Sequence, residues 1–168
     1  NIGADVSIQL TTLINASQTM TEIENLLGVS STVLEYSFSA SSAFREMPLK
    51  AVDPERWLET AYYEGEWFTG NDVKTAFHQM AADNNTIILE RETASSLNLG
   101  IGDTIALTFG SDVYTLEVVG FFGPKPHEDQ YYPYYEIPYY SYVPQGFYNL
   151  VEDKVSATAT GRILVKLV

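Results

Sequence analysis

Short runs of strand period alternate with short runs of helix period along this chain, so it must fold as layers of both kinds. Residues 4–10 set Ala4, Val6, Ile8 and Leu10 against Asp5, Ser7 and Gln9, the two-residue period of a half-buried strand. Residues 19–28 carry Met20, Ile23, Leu26 and Leu27 on one helical face. Thr19 and Glu22 are spaced as a capping box there, and Gly28 suits the stop. A second strand is expected at 32–40 through Val33, Leu34, Tyr36 and Phe38, before a Ser-rich stretch. Strand, helix and strand over about forty residues make a βα unit, provided the two strands lie parallel.

The middle of the chain mixes shorter pieces. Met47 to Val52 reads as a strand, and Asp53-Pro54-Glu55 opens a helical turn by N-cap and proline. Asn71 is expected to cap a helix reaching residue 82, with Val73, Ala76, Phe77, Met80 and Ala81 on one face. Thr86 to Leu89 reads as a compact strand, Arg91 to Leu97 as a brief helix, and Gly100-Ile101-Gly102-Asp103 as a turn into strand 104–109. Gly110-Ser111 then links that strand to 113–121 as a hairpin. A last strand is expected at 161–168.

Residues 122–146 differ in composition. They hold five of the seven prolines (124, 126, 133, 138 and 144) and seven of the twelve tyrosines (131, 132, 134, 135, 139, 140 and 142). Proline at that density argues against a helix or an unbroken central strand. The segment is expected to project as a loop or irregular hairpin, with 134–142 partly extended.

Charge narrows the function. Nine Lys+Arg against 22 Asp+Glu give a net charge of −13, which opposes docking on a phosphate backbone or on anionic lipid. The absence of cysteine excludes thiolate zinc sites, redox motifs and disulfide staples. No apolar run approaches the roughly 20 residues that span a bilayer. The start without Met and the apolar finish from Ile163 to Val168 are expected of a piece cut from a longer chain.

Several segments resemble one family in the right order. They are Gly3-Ala4-Asp5-Val6, then Ile23-Glu24-Asn25-Leu26-Leu27-Gly28-Val29 with Tyr36-Ser37, then Val52-Asp53-Pro54-Glu55 with Trp57-Leu58 and Gly65-Glu66-Trp67-Phe68. A longer stretch follows, from Ile87-Ile88-Leu89-Glu90-Arg91-Glu92-Thr93-Ala94 through Leu97-Asn98-Leu99-Gly100-Ile101-Gly102-Asp103-Thr104-Ile105, with Tyr114 to Gly120 after it. Together they resemble the extracytoplasmic (periplasmic core) domain of ABC permeases of the macrolide-exporter (MacB) and FtsX-like group. In the longest stretch Gly100 and Gly102 permit positive φ, and Asp103 can cap the turn. Two features depart from the pattern. The Tyr/Pro-rich segment 127–146 has no counterpart in it, and the chain ends where a second βα unit of the first lobe would be expected.

The resemblance implies a single α+β domain over 1–168 with two lobes. One is a βαβ-type lobe at about 1–45 and 160–168. The other, about 46–159, is mixed and mainly antiparallel β with short helices, and includes the loop 122–146. It also implies a place outside the cell membrane, between transmembrane helices of the same chain. The partners implied are those helices, a cytoplasmic ATP-binding subunit, an extracytoplasmic protein or substrate, and a second copy in the full complex. ATP-driven motion would pass through the helices to this domain.

The residues themselves suggest no chemistry, so no catalytic, cofactor or metal site is expected, and no enzyme. His78 stands one residue off an apolar stripe, and His127-Glu128-Asp129 lacks the spacing of a metal site. Glu64 and Glu66 flank Gly65 in what reads as an exposed turn, and Asp103 has no titrating neighbour in sequence. No P-loop, dinucleotide fingerprint, zinc-protease motif or Gly-x-Ser-x-Gly occurs. The tyrosines are the exception, because a phenol ring offers apolar area with a polar tip and little rotamer freedom to lose. Tyr131, Tyr132, Tyr134, Tyr135, Tyr139 and Tyr140 are the expected contact surface, against the alternative that the tyrosines cover their own lobe while the prolines stiffen a long loop. An alternative rests on the same residues: a cell-surface recognition module gripping carbohydrate or protein.

Overall fold

β1 (Val6–Gln9), α1 (Ala16–Glu24) and β2 (Val29–Ser42) open the chain in a computed structural model that describes residues 4–123 and 140–168. Both strands run antiparallel to the last one, β9 (Thr160–Leu167), which lies between them. They are therefore parallel to each other, as a βα unit requires, with β9 inserted. α1 starts earlier than its sequence pattern suggests. Asn15 takes the N-cap position without a side-chain cap, and Thr19 donates from both its amide and its hydroxyl to the Asn15 carbonyl. The capping box of Thr19 and Glu22 does not form, because both lie inside the helix. Glu22 instead accepts a hydrogen bond from Gln18.

β3 (Arg45–Val52) pairs along β2 as a hairpin closed by Ser42 opposite Arg45. α2 (Pro54–Thr60) begins as expected, with the Asp53 carboxylate accepting from the Glu55 and Arg56 amides. After β4 (Phe68–Thr69), α3 (Val73–Ala82) is capped by Asp72 rather than Asn71. The Asn71 amide donates to the Val119 carbonyl at 2.9 Å and so pins the helix start to the sheet.

β5 (Thr86–Glu90) leads into α4 (Arg91–Ser96), whose first amides donate to the Glu90 carboxylate. β6 (Thr104–Phe109) and β7 (Asp112–Phe122) form the expected hairpin. In the turn before β6 the Gly100 amide donates to Asp103 at 2.7 Å, and Gly102 has a φ of +86°.

Residues 140–146 correct the loop expectation. β8 (Ser141–Pro144) is a central strand, parallel to β3 and touching β5, and α5 (Gln145–Val155) follows at once. Pro144 is tolerated because it ends the strand and stands at the N-cap of α5, where no ladder amide is needed. The rest of that expected loop, 124–139, lies outside the described residues.

The nine described strands make one mixed sheet, and its six central strands close on themselves. The ring runs β2, β3, β8, β5, β7 and β6, and returns to β2 through the pair Ser41 and Thr108. With five α-helices among the described residues this is an α+β fold. Alternation along the strands sends Tyr36, Phe38, Leu49, Leu89, Leu107 and Leu116 into one core, closed by Phe147 and Tyr148 of α5. The opposite face carries Val33, Val52, Ile88 and Leu164 under Trp57, Phe77 and Met80 of α2 and α3.

Candidate functional site

Tyr131, Tyr132, Tyr134, Tyr135 and Tyr139 lie outside the described residues, so Tyr140 alone of the expected contact tyrosines has a described setting. It is half-buried where the chain re-enters the sheet. Its ring stands edge-on to Tyr142 at 5.4 Å and leans on Phe122 at 5.3 Å. The Lys50 ammonium sits 3.9 Å from its ring centroid, a cation–π contact. Burial pushes the Tyr140 hydroxyl up to about 12. Tyr142 lies deeper, fully buried against Trp57 and Phe77, and burial raises it well above the ordinary phenol value.

Beside these rings is a charge cluster that the sequence reading did not find. Glu35 of β2 is fully buried, and its Oε1 accepts from Arg162 Nε at 2.7 Å and from Lys50 Nζ at 3.1 Å. Strand register explains the meeting, since Glu35 faces Arg162 directly across β2 and β9, and Lys50 lies on β3 two residues before the partner of Glu35. Two cations therefore share one carboxylate. Burial lowers the Lys50 ammonium below its ordinary value, and Glu35 works against that. Glu35 Oε2 and the Tyr142 hydroxyl have no hydrogen-bond partner among the described residues. A signal was present in the sequence: Glu35 and Lys50 each interrupt an apolar run, in Val33-Leu34-Glu35-Tyr36 and Leu49-Lys50-Ala51-Val52, and Arg162 stands at the head of Ile163-Leu164-Val165.

The other residues weighed for chemistry stay apart. Glu64 and Glu66 are exposed on a turn, and Glu64 accepts from the Tyr62 hydroxyl. His78 is exposed on α3. Among the described residues no group of three His, Asp or Glu could hold a metal, and no helix is long and apolar enough to cross a membrane.

The geometry of the two ends is more telling. Val6 pairs with Val165, the Leu167 amide donates to Asp5 at 2.8 Å, and the Val168 amide donates to the Gly28 carbonyl at 2.9 Å. The first and last described strands thus run side by side and meet at the Gly28 corner. β2 starts at that corner and runs 14 residues, about 45 Å of extended chain at the usual rise per residue, to its hairpin with β3. There the hairpin turns through Ala43 and Phe44, both in the left-handed region with φ of 49° and 64°. Two-residue hairpins favour Asn-Gly at those places, and other residues cost roughly 1–2 kcal/mol each.

This closed mixed sheet, with paired chain ends and helices on both faces, is similar in fold to two solved domains of ABC-type transporters. The chain is similar to the periplasmic region of MacB from Actinobacillus actinomycetemcomitans, at a TM-score of 0.53 and 11% identity over 96% of this chain and 72% of that one. It is similar also to the extracellular domain of the noncanonic ABC-type transporter YknZ from Gram-positive bacteria, at a TM-score of 0.53 and 13% identity over 95% and 83% of the two chains. No protein-family profile matches the sequence, and no curated protein does.

Proposed function

We propose that this chain is a non-catalytic, extracytoplasmic domain of an ABC-type permease of the MacB and FtsX-like kind, which transmits ATP-driven motion and contacts a substrate or partner protein. The observation that carries the reading is the pairing of β1 with β9, which puts the two ends of the described chain beside each other at the Gly28 corner. A domain held between two neighbouring membrane helices needs that arrangement, and a push on either helix then loads the same sheet. The order of the sequence segments and a fold likeness covering nearly the whole chain support it from separate directions.

In this reading β1, the Gly28 corner and the end of β9 form the anchored end, and the closed ring of β2, β3, β8, β5, β7 and β6 is carried on it. Tyr131, Tyr132, Tyr134, Tyr135, Tyr139 and the open edge of Tyr140 serve as contact surface. Replacing them pairwise by Ser lowers transport or partner binding if they do; unchanged transport and binding in every pair contradicts that role.

Transmission is tested in the complete complex in lipid, with a spin label on a Ser156→Cys variant in both copies. The distance distribution between labels shifts between ATP-bound and ADP-bound states. Identical distributions in the two states contradict transmission.

A further inference from the structure

We infer that the β2–β3 hairpin tip is a docking wedge, with Phe44 as the anchor that enters an apolar pocket of an extracytoplasmic protein whose rim is basic. The chain has eight phenylalanines, at 38, 44, 68, 77, 109, 121, 122 and 147. Six are buried and Phe121 is partly so; Phe44 stands alone at 110% exposure. A ring fully in water gains nothing for the fold, and this one sits on a turn whose backbone neither Ala43 nor Phe44 favours. Strain at an exposed aromatic points to a contact made beyond the described residues.

The surroundings define the partner. Beside the tip is an open cleft of about 510 Å³ between β3 and the start of α4, lined in part by Arg45, Glu46, Met47, Glu92 and Thr93. Arg45 is turned onto Ser96, its Nη1 donating at 3.0 Å, while Glu46 and Glu92 are exposed. The flank thus carries one cation, Arg45, against the carboxylates of Glu46 and Glu92, and is acidic on balance, as is the whole chain at −13. An aromatic anchor beside carboxylates fits a pocket with a basic rim, since anchors give affinity and flanking charges give register and approach. An anionic lipid surface is disfavoured by the same charges.

The wedge rests on the permease reading in one respect: that reading puts the Gly28 corner, where β2 starts, at the membrane, and the hairpin tip lies at the far end of β2 from it. The test uses the complete transporter in its own membrane, with the photo-crosslinking residue benzoylphenylalanine at position 44 and, separately, at position 111 on the β6–β7 turn. Position 44 gives a discrete adduct with a second protein and position 111 gives none. The yield from position 44 falls tenfold or more when Glu46→Lys and Glu92→Lys are introduced together, and melting of the isolated variants shows that they still fold.

No adduct, an adduct with lipid or with a second copy of this chain, or a yield indifferent to the charge reversal overturns the wedge. Labelling of a Ser111→Cys variant by a membrane-impermeant thiol reagent separates the two claims. External labelling without the adduct removes the wedge and leaves the permease reading; absence of external labelling removes the permease reading.

Discussion

The aromatic nest under α2 and α3 and the tip of the β2–β3 hairpin use the same kind of side chain to opposite ends. In the nest Trp57 stacks on Phe77 at 4.3 Å and on Tyr63 at 5.1 Å, with Phe68 and Tyr142 meeting it edge-on. Each ring removes its neighbours from water, so the whole group contributes to stability. At the tip Phe44 has no such neighbours among the described residues and a backbone held in the left-handed region. The contrast teaches that aromatic content alone does not say where a chain makes contacts. Burial and backbone strain set the two regions apart.

Four substitutions sharpen or break that comparison. The largest effect is expected in the nest, where Trp57→Ala destabilises the domain by about 3–5 kcal/mol. Chemical denaturation measures it, and a loss under 1 kcal/mol would mean that the nest is loosely packed. Next is the charge cluster at the edge of the nest. Glu35→Ala leaves Lys50 and Arg162 without their shared carboxylate, and costs about 2–3 kcal/mol. The value sits below that of a fully buried pair because the two cations keep 16% and 26% of their side-chain surface in contact with solvent.

Smaller effects belong to the tip. Ala43→Gly relieves the left-handed backbone and is expected to stabilise by about 0.5–1 kcal/mol, net of the freedom that glycine adds to the unfolded chain. A destabilised variant would show that Ala43 is not strained. Phe44→Ser is expected to leave stability within about 0.5 kcal/mol of the parent. A larger loss would place Phe44 with the nest, as a residue of the fold rather than of a contact.

Much of the fold was legible because local chemistry and tertiary context agreed. Asp53-Pro54 starts α2 as it would in isolation, and Gly102 with Asp103 builds the turn into β6 by its own hydrogen bond. Where they disagreed, long-range pairing prevailed. Tyr142 and Pro144 come from a segment whose prolines suggest a loop, yet β3 and β5 recruit it as a central strand. The capping signal at Thr19 failed because α1 begins at Ala16, which is buried against the sheet. The charge cluster was hidden for a different reason. Glu35, Lys50 and Arg162 meet only through the register of three strands, and β9 closes more than a hundred residues after β2. Phe44 was not singled out either, since nothing in Ser42-Ala43-Phe44-Arg45 marks a tight hairpin turn.

The most direct test of the central claim is the side of the membrane on which the domain stands. Ser111→Cys in the complete chain gives an exposed thiol on the β6–β7 turn, in a domain that has no cysteine of its own. A membrane-impermeant maleimide applied to intact cells is predicted to label it to the same extent as in broken cells. Labelling only after the membrane is broken would contradict an extracytoplasmic domain, and with it the permease reading.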